Sequence, residues 1–445
     1  MSDEPASEPT HGPTFEPFRW PDFRRLFVTT ACATLASRAL AVVLGYQVYE
    51  ITGEPLALGF LGLIEAIPAL SLALYGGHVA DRHDRRLVLH VTLLALAVCG
   101  AVLCGVSLYE SGKAQLIVLY AVVLVVGVAR GFAEPAAAAL EAQVVPWELL
   151  VRSSTLMASC WLTGAVIGPL WGGVSFKFLG PAWTYLIIGL LYFCGWLAVR
   201  WIEPRPNPNP KAEESIWESI SVGVRYVWND QVLLASMALD LFAVLFGGAI
   251  ALLPVFAKDI LHVGPIGLGV LNAAPTTGAL LTMLWATHSP PVRHAGRNLF
   301  LAVGGFGIAM IVFALSETMW ISVVALFFSG VFDGVSVVIR RAILRLLSPD
   351  HLRGRIASVG MLFIGSSNEL GAFESGIAAW LLGTAPAVWA GGIVTMVIVA
   401  GAALCAPKLR RLSLDPKLIA KRDEQVDAEL DEAAEQGELG FPPPH

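Results

Sequence analysis

Charge is what this chain has least of. Asp, Glu, Lys and Arg make up 14% of its 445 residues while apolar residues reach 56%, against roughly 25% and roughly 45–50% in soluble domains. That balance excludes an ordinary water-soluble fold, and most of the chain is expected to face lipid. Catalytic constellations are also missing. There is no nucleophile elbow, no Gly-rich phosphate cradle closed by a Lys, and no metal cluster. The six cysteines, Cys32, Cys99, Cys104, Cys160, Cys194 and Cys405, all sit inside apolar stretches without ligand spacing, so they read as small buried hydrophobes. No enzymatic activity, cofactor or metal is expected, and energy for any work should come from a proton gradient. The formal charge of -6 owes much to the tail after Lys417, and no nucleic-acid partner is expected.

What is present is a series of long apolar runs. Crossing a hydrocarbon core takes about 20 residues as a helix, and without water only helices or closed barrels satisfy their backbone. Twelve spans fit, near 26–48, 58–80, 87–108, 115–140, 153–175, 181–200, 233–257, 267–287, 298–315, 320–344, 356–382 and 385–405. Their length predicts an all-α membrane protein rather than a barrel. The first 22 residues are acidic and proline-containing, without a basic start or cleavage site, so the first helix is expected to direct insertion.

Arg and Lys collect in alternate loops. Arg24, Arg25, Arg82, Arg85, Arg86, Arg152, Arg205, Lys211, Arg293, Arg297, Arg353, Arg355, Lys408, Arg410 and Arg411 fall on one side; Lys113, Lys177 and Lys258 fall on the other. The positive-inside rule then puts both termini in the cytoplasm.

The chain also repeats itself. A shift of 203 places Gly127 on Gly330, Gly131 on Gly334, Pro146 on Pro349, Arg152 on Arg355, Gly168 on Gly371 and Gly173 on Gly376; a shift of 207 places Gly62–Pro68 on Gly269–Pro275. Two six-helix halves are expected, with a substrate site between them at mid-membrane. The expected division is a tail (1–22), a first bundle (23–202), a linker (203–230), a second bundle (231–406) and a tail (407–445). The linker opens with the proline-rich 203–210, and Ile216, Trp217, Ile220, Val224, Val227 and Trp228 recur at helical spacing beyond it, as in an interfacial amphipathic helix. A solvated helix is expected over 415–436 and disorder over 441–445.

Ionisable residues inside a membrane are costly, about 2.5–3.5 kcal/mol on insertion scales, so their positions point to function. They are Arg38, Glu65, Arg130, Glu134, Asp240, Asp333, Arg340, Arg341, Glu369 and Glu374, and spans 3, 6, 9 and 12 have none in their cores. Arg130 and Glu134, four apart, are either a structural neutralising pair or part of a cavity. Asp333 occupies the repeat position of Arg130, so the two are expected to face one another as a proton-sensitive lock. Arg340, Arg341 and Arg345 are expected to snorkel to the interface or bind lipid phosphate. Of Glu369 and Glu374, at least one should face the cavity.

Two motifs carry a resemblance. Gly77-His78-Val79-Ala80-Asp81-Arg82-His83-Asp84-Arg85-Arg86 resembles the loop between helices 2 and 3 of the major facilitator superfamily, where Gly allows close helix approach and Asp and Arg pair at a cytoplasmic gate. The resemblance implies gate roles for Gly77, Asp81, Arg82, Arg85 and Arg86; Asp84 departs from it, standing where the superfamily usually has Gly. Gly164, Gly168, Pro169, Gly172 and Gly173 match a GxxxGPxxGG stretch that resembles the antiporter motif of the superfamily's exporters, implying a bent packing face at the opposite gate. In that family helices 1, 4, 7 and 10 line the cavity. Runs at 44–50 and 367–371 resemble the enterobactin-exporter-like branch. The resemblance implies a monomeric proton-coupled exporter of a small organic molecule, drug-like or siderophore, in a bacterial inner membrane. The alternatives are a nutrient symporter or uniporter and a non-transporting membrane sensor.

Overall fold

The computed structural model describes residues 15–109, 112–205, 216–348 and 352–414; at several helical positions, Glu369 among them, only the backbone is described. The expected proline linker at 206–210, the helix over 415–436 and the terminal stretch 441–445 lie outside the described residues. Among the described residues there are helices and turns and no strands. The helices are α1 (Pro21–Thr52), α2 (Pro55–Arg82), α3 (Arg85–Tyr109) and α4 (Lys113–Val144), followed by a helical run Leu150–Arg200. Gly180, at φ 75 and ψ 173, breaks that run into α5 (150–179) and α6 (181–200). The second half holds α7 (Gln231–Gly247), α8 (Gly264–His288), α9 (Ala295–Ala314), α10 (Met319–Leu347), α11 (Arg353–Leu382) and α12 (Thr384–Cys405).

Ten helical stretches are long and apolar enough to cross a membrane. Gly180 divides one of them in two, and α11, more polar at its start, adds its apolar Leu370–Leu382 end, so ten, one and one give the twelve expected spans. α7 is shorter than expected: its helix stops at Gly247, and the chain reaches Ile260 through the short turns Ile250–Leu252 and Leu253–Val255 and a π-helical turn Phe256–Ile260. Gly248, in an extended conformation, ends the helix, and Pro254 falls in the first turn of the next helical piece, where a missing N–H costs nothing. The linker helix Ile216–Asn229 precedes α7, and its Val227 is buried in the apolar cluster of the second half.

The internal repeat reappears as matching contacts. A Cβ on Gly127 would strike Glu65 and Pro68, and one on Gly330 would strike Pro275; Pro68 and Pro275 are the residues that the 207 shift equates. One turn on, Gly131 meets Ala69 and Leu72 of α2, while Gly334 meets Ala279 and Thr282 of α8. In lipid, where apolar surface has no drive to leave the solvent, small residues let backbones approach and supply packing energy. Each half therefore locks its fourth helix onto its second by the same pair of glycines.

α1, α3, α5, α7, α9 and α11 begin at the end of the bundle that carries Asp81–Arg86, here called the basic end. The halves meet towards the far end. Gly173 lies against Pro265 and Gly269, and Gly269 in turn against Pro169 and Leu170. On the other flank Gly59 of α2 crosses Gly376 of α11, and the Phe60 and Phe373 rings pack 5.6 Å apart. At the basic end a Cβ on Gly77 of α2 would meet nothing within 4 Å, and the glycine contacts between the halves, among the described residues, lie nearer the middle and far end, which leaves the cleft between the halves at the basic end.

Candidate functional site: two shared arginines and two gates

In the first half α4 brings Arg130 beside Glu134, one turn away, at 3.2 Å, and packing of Gly127 against α2 brings Glu65 to 2.6 Å from the same guanidinium. Arg130 is thus shared by two carboxylates from two helices. Arg38 of α1 takes another route, its guanidinium lying 4.9 Å over the Trp161 ring of α5, a cation–π contact.

The second half repeats the theme with different residues. Arg340 of α10 pairs with Asp240 of α7, with both side chains buried, donates its Nε–H to Ser336 Oγ at 3.2 Å, and comes within 4.0 Å of Asp333. Here the expectations require correction. Arg340 does not snorkel: it lies about two turns inward of the helix end, on the face turned to α7, and its charge is met by Asp240. Nor do Arg130 and Asp333 lock together; each is paired within its own half, because the cleft separates α4 from α10 while intrahelical neighbours stand four or seven residues away. Asp240 pairs inside its own bundle, neither at a gate nor alone in the cleft.

Glu134 and Asp333 keep 70% and 44% of their side-chain surface exposed. Ionisable groups within membrane-spanning helices are costly to expose to lipid. Glu374 lies near the far end, in a narrow crevice with Gly247, Gly248 and Leu252 where α7 breaks, and its neighbour Ser375 donates to the Gly248 carbonyl at 2.9 Å. Glu369 sits on α11 one and a half turns nearer the basic end, and its side chain is outside the described set.

At the basic end Asp81 and Arg85 pair at 3.5 Å, Arg85 also donates to the Ala80 and Ala139 carbonyls, and Arg86 donates to the Ile202 carbonyl at 2.7 Å. Arg82 is exposed. The departure Asp84 has a clear local role: it accepts the Arg86 backbone N–H at 2.9 Å and meets the Arg86 guanidinium at 3.6 Å, capping the start of α3. Gly77 makes no close approach in this state; Gly76 does, its Cα meeting the Gly131 backbone of α4.

The α5 stretch divides its work between two surfaces. Gly164, Gly168 and Gly172, four apart, form one stripe against Thr34, Arg38 and Ala39 of α1, while Gly173 faces the other half. The expected bend at Pro169 is absent as a dihedral break; Gly180 alone departs from helical values in this run. Sequence reasoning missed a contact at the far gate. Tyr49, at the end of α1, hydrogen-bonds Asp259 on the π-helical turn, and Lys258 stands 5.5 Å over the Tyr49 ring. Its only signal was a Lys-Asp pair at the end of an apolar run.

Residues 26–372 match the Major Facilitator Superfamily. The chain belongs to that family. Among curated proteins it is similar to the enterobactin exporter EntS of Shigella flexneri, 24% identical over 404 residues that cover 91% of this chain and 96% of the exporter. The EntS of Citrobacter koseri is 23% identical, covering 76% and 80% of the two chains. Among solved structures, a bacterial homologue of the human lysosomal transporter Spinster, in an inward-facing and unoccupied conformation, superposes with a TM-score of 0.70 at 15% identity, covering 90% of this chain and 99% of the other. A variant of the peptide transporter POT gives 0.70 at 14%, covering 88% and 95%. The protein is a multi-pass membrane transporter of the facilitator type.

Proposed function

We propose that this transporter exports a small organic molecule, a siderophore or drug-like compound, across a bacterial inner membrane in exchange for protons, acting as a monomer with both termini and the Asp81–Arg86 loop in the cytoplasm. The observation that carries the reading is the pair of shared arginines. Arg130 is divided between Glu65 and Glu134, and Arg340 between Asp240 and Asp333. A proton taken by an exposed carboxylate, Asp333 or Glu134, cancels its charge and weakens its hold on the arginine. It also removes the charge that holds a cationic or hydrogen-bond-donating group of the substrate, so proton and substrate group compete for one carboxylate, and loss of the proton to the other side restores the pair. Such exchange requires the two events to share one group, which each triad provides. Export is favoured over nutrient uptake by the α5 glycine-proline stretch and by the names of the relatives. The basic loops support the orientation, and in it the cleft, open at the basic end, is inward-facing.

The test is proton movement in energised inverted vesicles. Adding a transported catecholate or drug-like compound should release protons from the lumen, and Asp333→Asn or Glu134→Gln should abolish that release at unchanged protein level. Proton-driven flux that persists in both variants would refute the coupling.

A further inference from the structure

On the lipid-facing side of the first half, at the basic end, α3 and α6 build a cluster outside the transport path. The His90 ring lies 4.7 Å from the Trp196 ring, Phe193 stacks on Trp196 at 5.1 Å, and the Arg200 guanidinium lies 5.8 Å over the same indole. Arg86 opens α3 one turn before His90. The Trp196 Nε1–H is buried with no hydrogen-bond partner among the described residues, and a buried donor left unmade costs about 1–3 kcal/mol. Arg200 is exposed and rests on an aromatic face instead of a carboxylate. The acidic groups nearby in the chain do not neutralise it: Asp84 is engaged by Arg86 and the α3 backbone, and Glu203 is exposed beyond the helix end. The surface beside the cluster is apolar, with Leu87 and Val91 of α3 and Phe193 and Leu197 of α6 all exposed.

We propose that this cluster is a binding site for the headgroup of an anionic phospholipid. Arg200 and the imidazole of His90 receive the phosphate, the indole between them is the platform on which both rest, and the acyl chains follow the exposed track of Leu87, Val91, Phe193 and Leu197. Basic pockets between transmembrane helices at the headgroup level hold anionic lipids in this manner, and an indole suits the boundary because one edge is apolar and the other polar. The apolar track favours a lipid over a free phosphate, which would gain nothing from it. Because Arg86 also ties α3 to the end of α6 through the Ile202 carbonyl, the lipid would brace the outer helices of this half.

The experiment is native mass spectrometry of the purified full chain released from micelles containing equal phosphatidylglycerol and phosphatidylcholine. One phosphatidylglycerol should be retained preferentially, and retention should fall at least about fivefold in Arg200→Gln and in His90→Phe, which keeps a ring against Trp196 and removes the imidazole N–H. The double variant should fall no further than about twofold beyond the singles. Melting temperature measured without lipid checks that both variants are folded. Equal retention of the two lipids, unchanged retention in folded Arg200→Gln, or full displacement by millimolar inorganic phosphate would each overturn the proposal.

Discussion

Replacing Arg340 by Gln isolates the physics of the second triad. Arg340 and Asp240 are both buried, and removing one partner of a buried ion pair strands the other, at about 3–5 kcal/mol. Asp333 sits 4.0 Å from the guanidinium with 44% of its side chain exposed, so water already supports it and its share is below about 1 kcal/mol. Arg340→Gln should therefore destabilise the folded protein by about 3 kcal/mol, roughly a hundredfold in the unfolding equilibrium, whereas Asp333→Asn should stay within about 1 kcal/mol while losing proton coupling. Asp240→Asn combined with Arg340→Gln should cost less than the two single changes summed, by about 2 kcal/mol, because no charge is left stranded. Equilibrium unfolding in mixed micelles measures all four proteins. If Arg340→Gln lies within about 1 kcal/mol of the parent, or the double variant is additive, the buried pair is not what holds α7 to α10.

Two further outcomes follow from the packing. Gly76→Ala should destabilise by about 1–3 kcal/mol, since its Cβ meets the Gly131 backbone and cannot be relieved by a side-chain rotation, while Gly77→Ala should be near neutral in thermal unfolding; the reverse order would mean that α2 is rotated from the position described. Tyr49→Phe or Asp259→Ala removes the far-end hydrogen bond, a bond to a charged group of about 1.5–3 kcal/mol, and should shift the population towards opening of that end by about tenfold or more. Spin labels at Tyr109 and Trp320, exposed on opposite halves at that end, with Cys194 and Cys405 changed to Ser, would report it as a longer distance; an unaltered distance distribution in both variants would remove the gate role.

The spans were legible because hydropathy and length depend only on local composition, and the break at Gly180 falls in the gap between the spans expected at 153–175 and 181–200. The Arg130–Glu134 pair was legible for the same reason: four residues on a helix is a fixed distance. Glu65 joins that pair 65 residues away only because Gly127 lets α2 and α4 touch, and Asp240 meets Arg340 across 100 residues. Gly76 and Gly77 are indistinguishable in composition, yet a helix turns about 100° per residue, so one faces α4 and the other the open cleft. Tyr49 and Asp259 were hidden by an irregular turn, which no periodicity announces.

By itself the sequence determined that this is a helical membrane protein of two related halves, with charge confined to the inner helices and basic loops at one end, because solvation by lipid acts on each residue where it stands. Only the tertiary structure decided which charges share a partner, which glycines touch, and which end of the cleft is closed. Those depend on helix rotation and on the relative placement of the two halves, and distances between helices are written in packing and not in spacing.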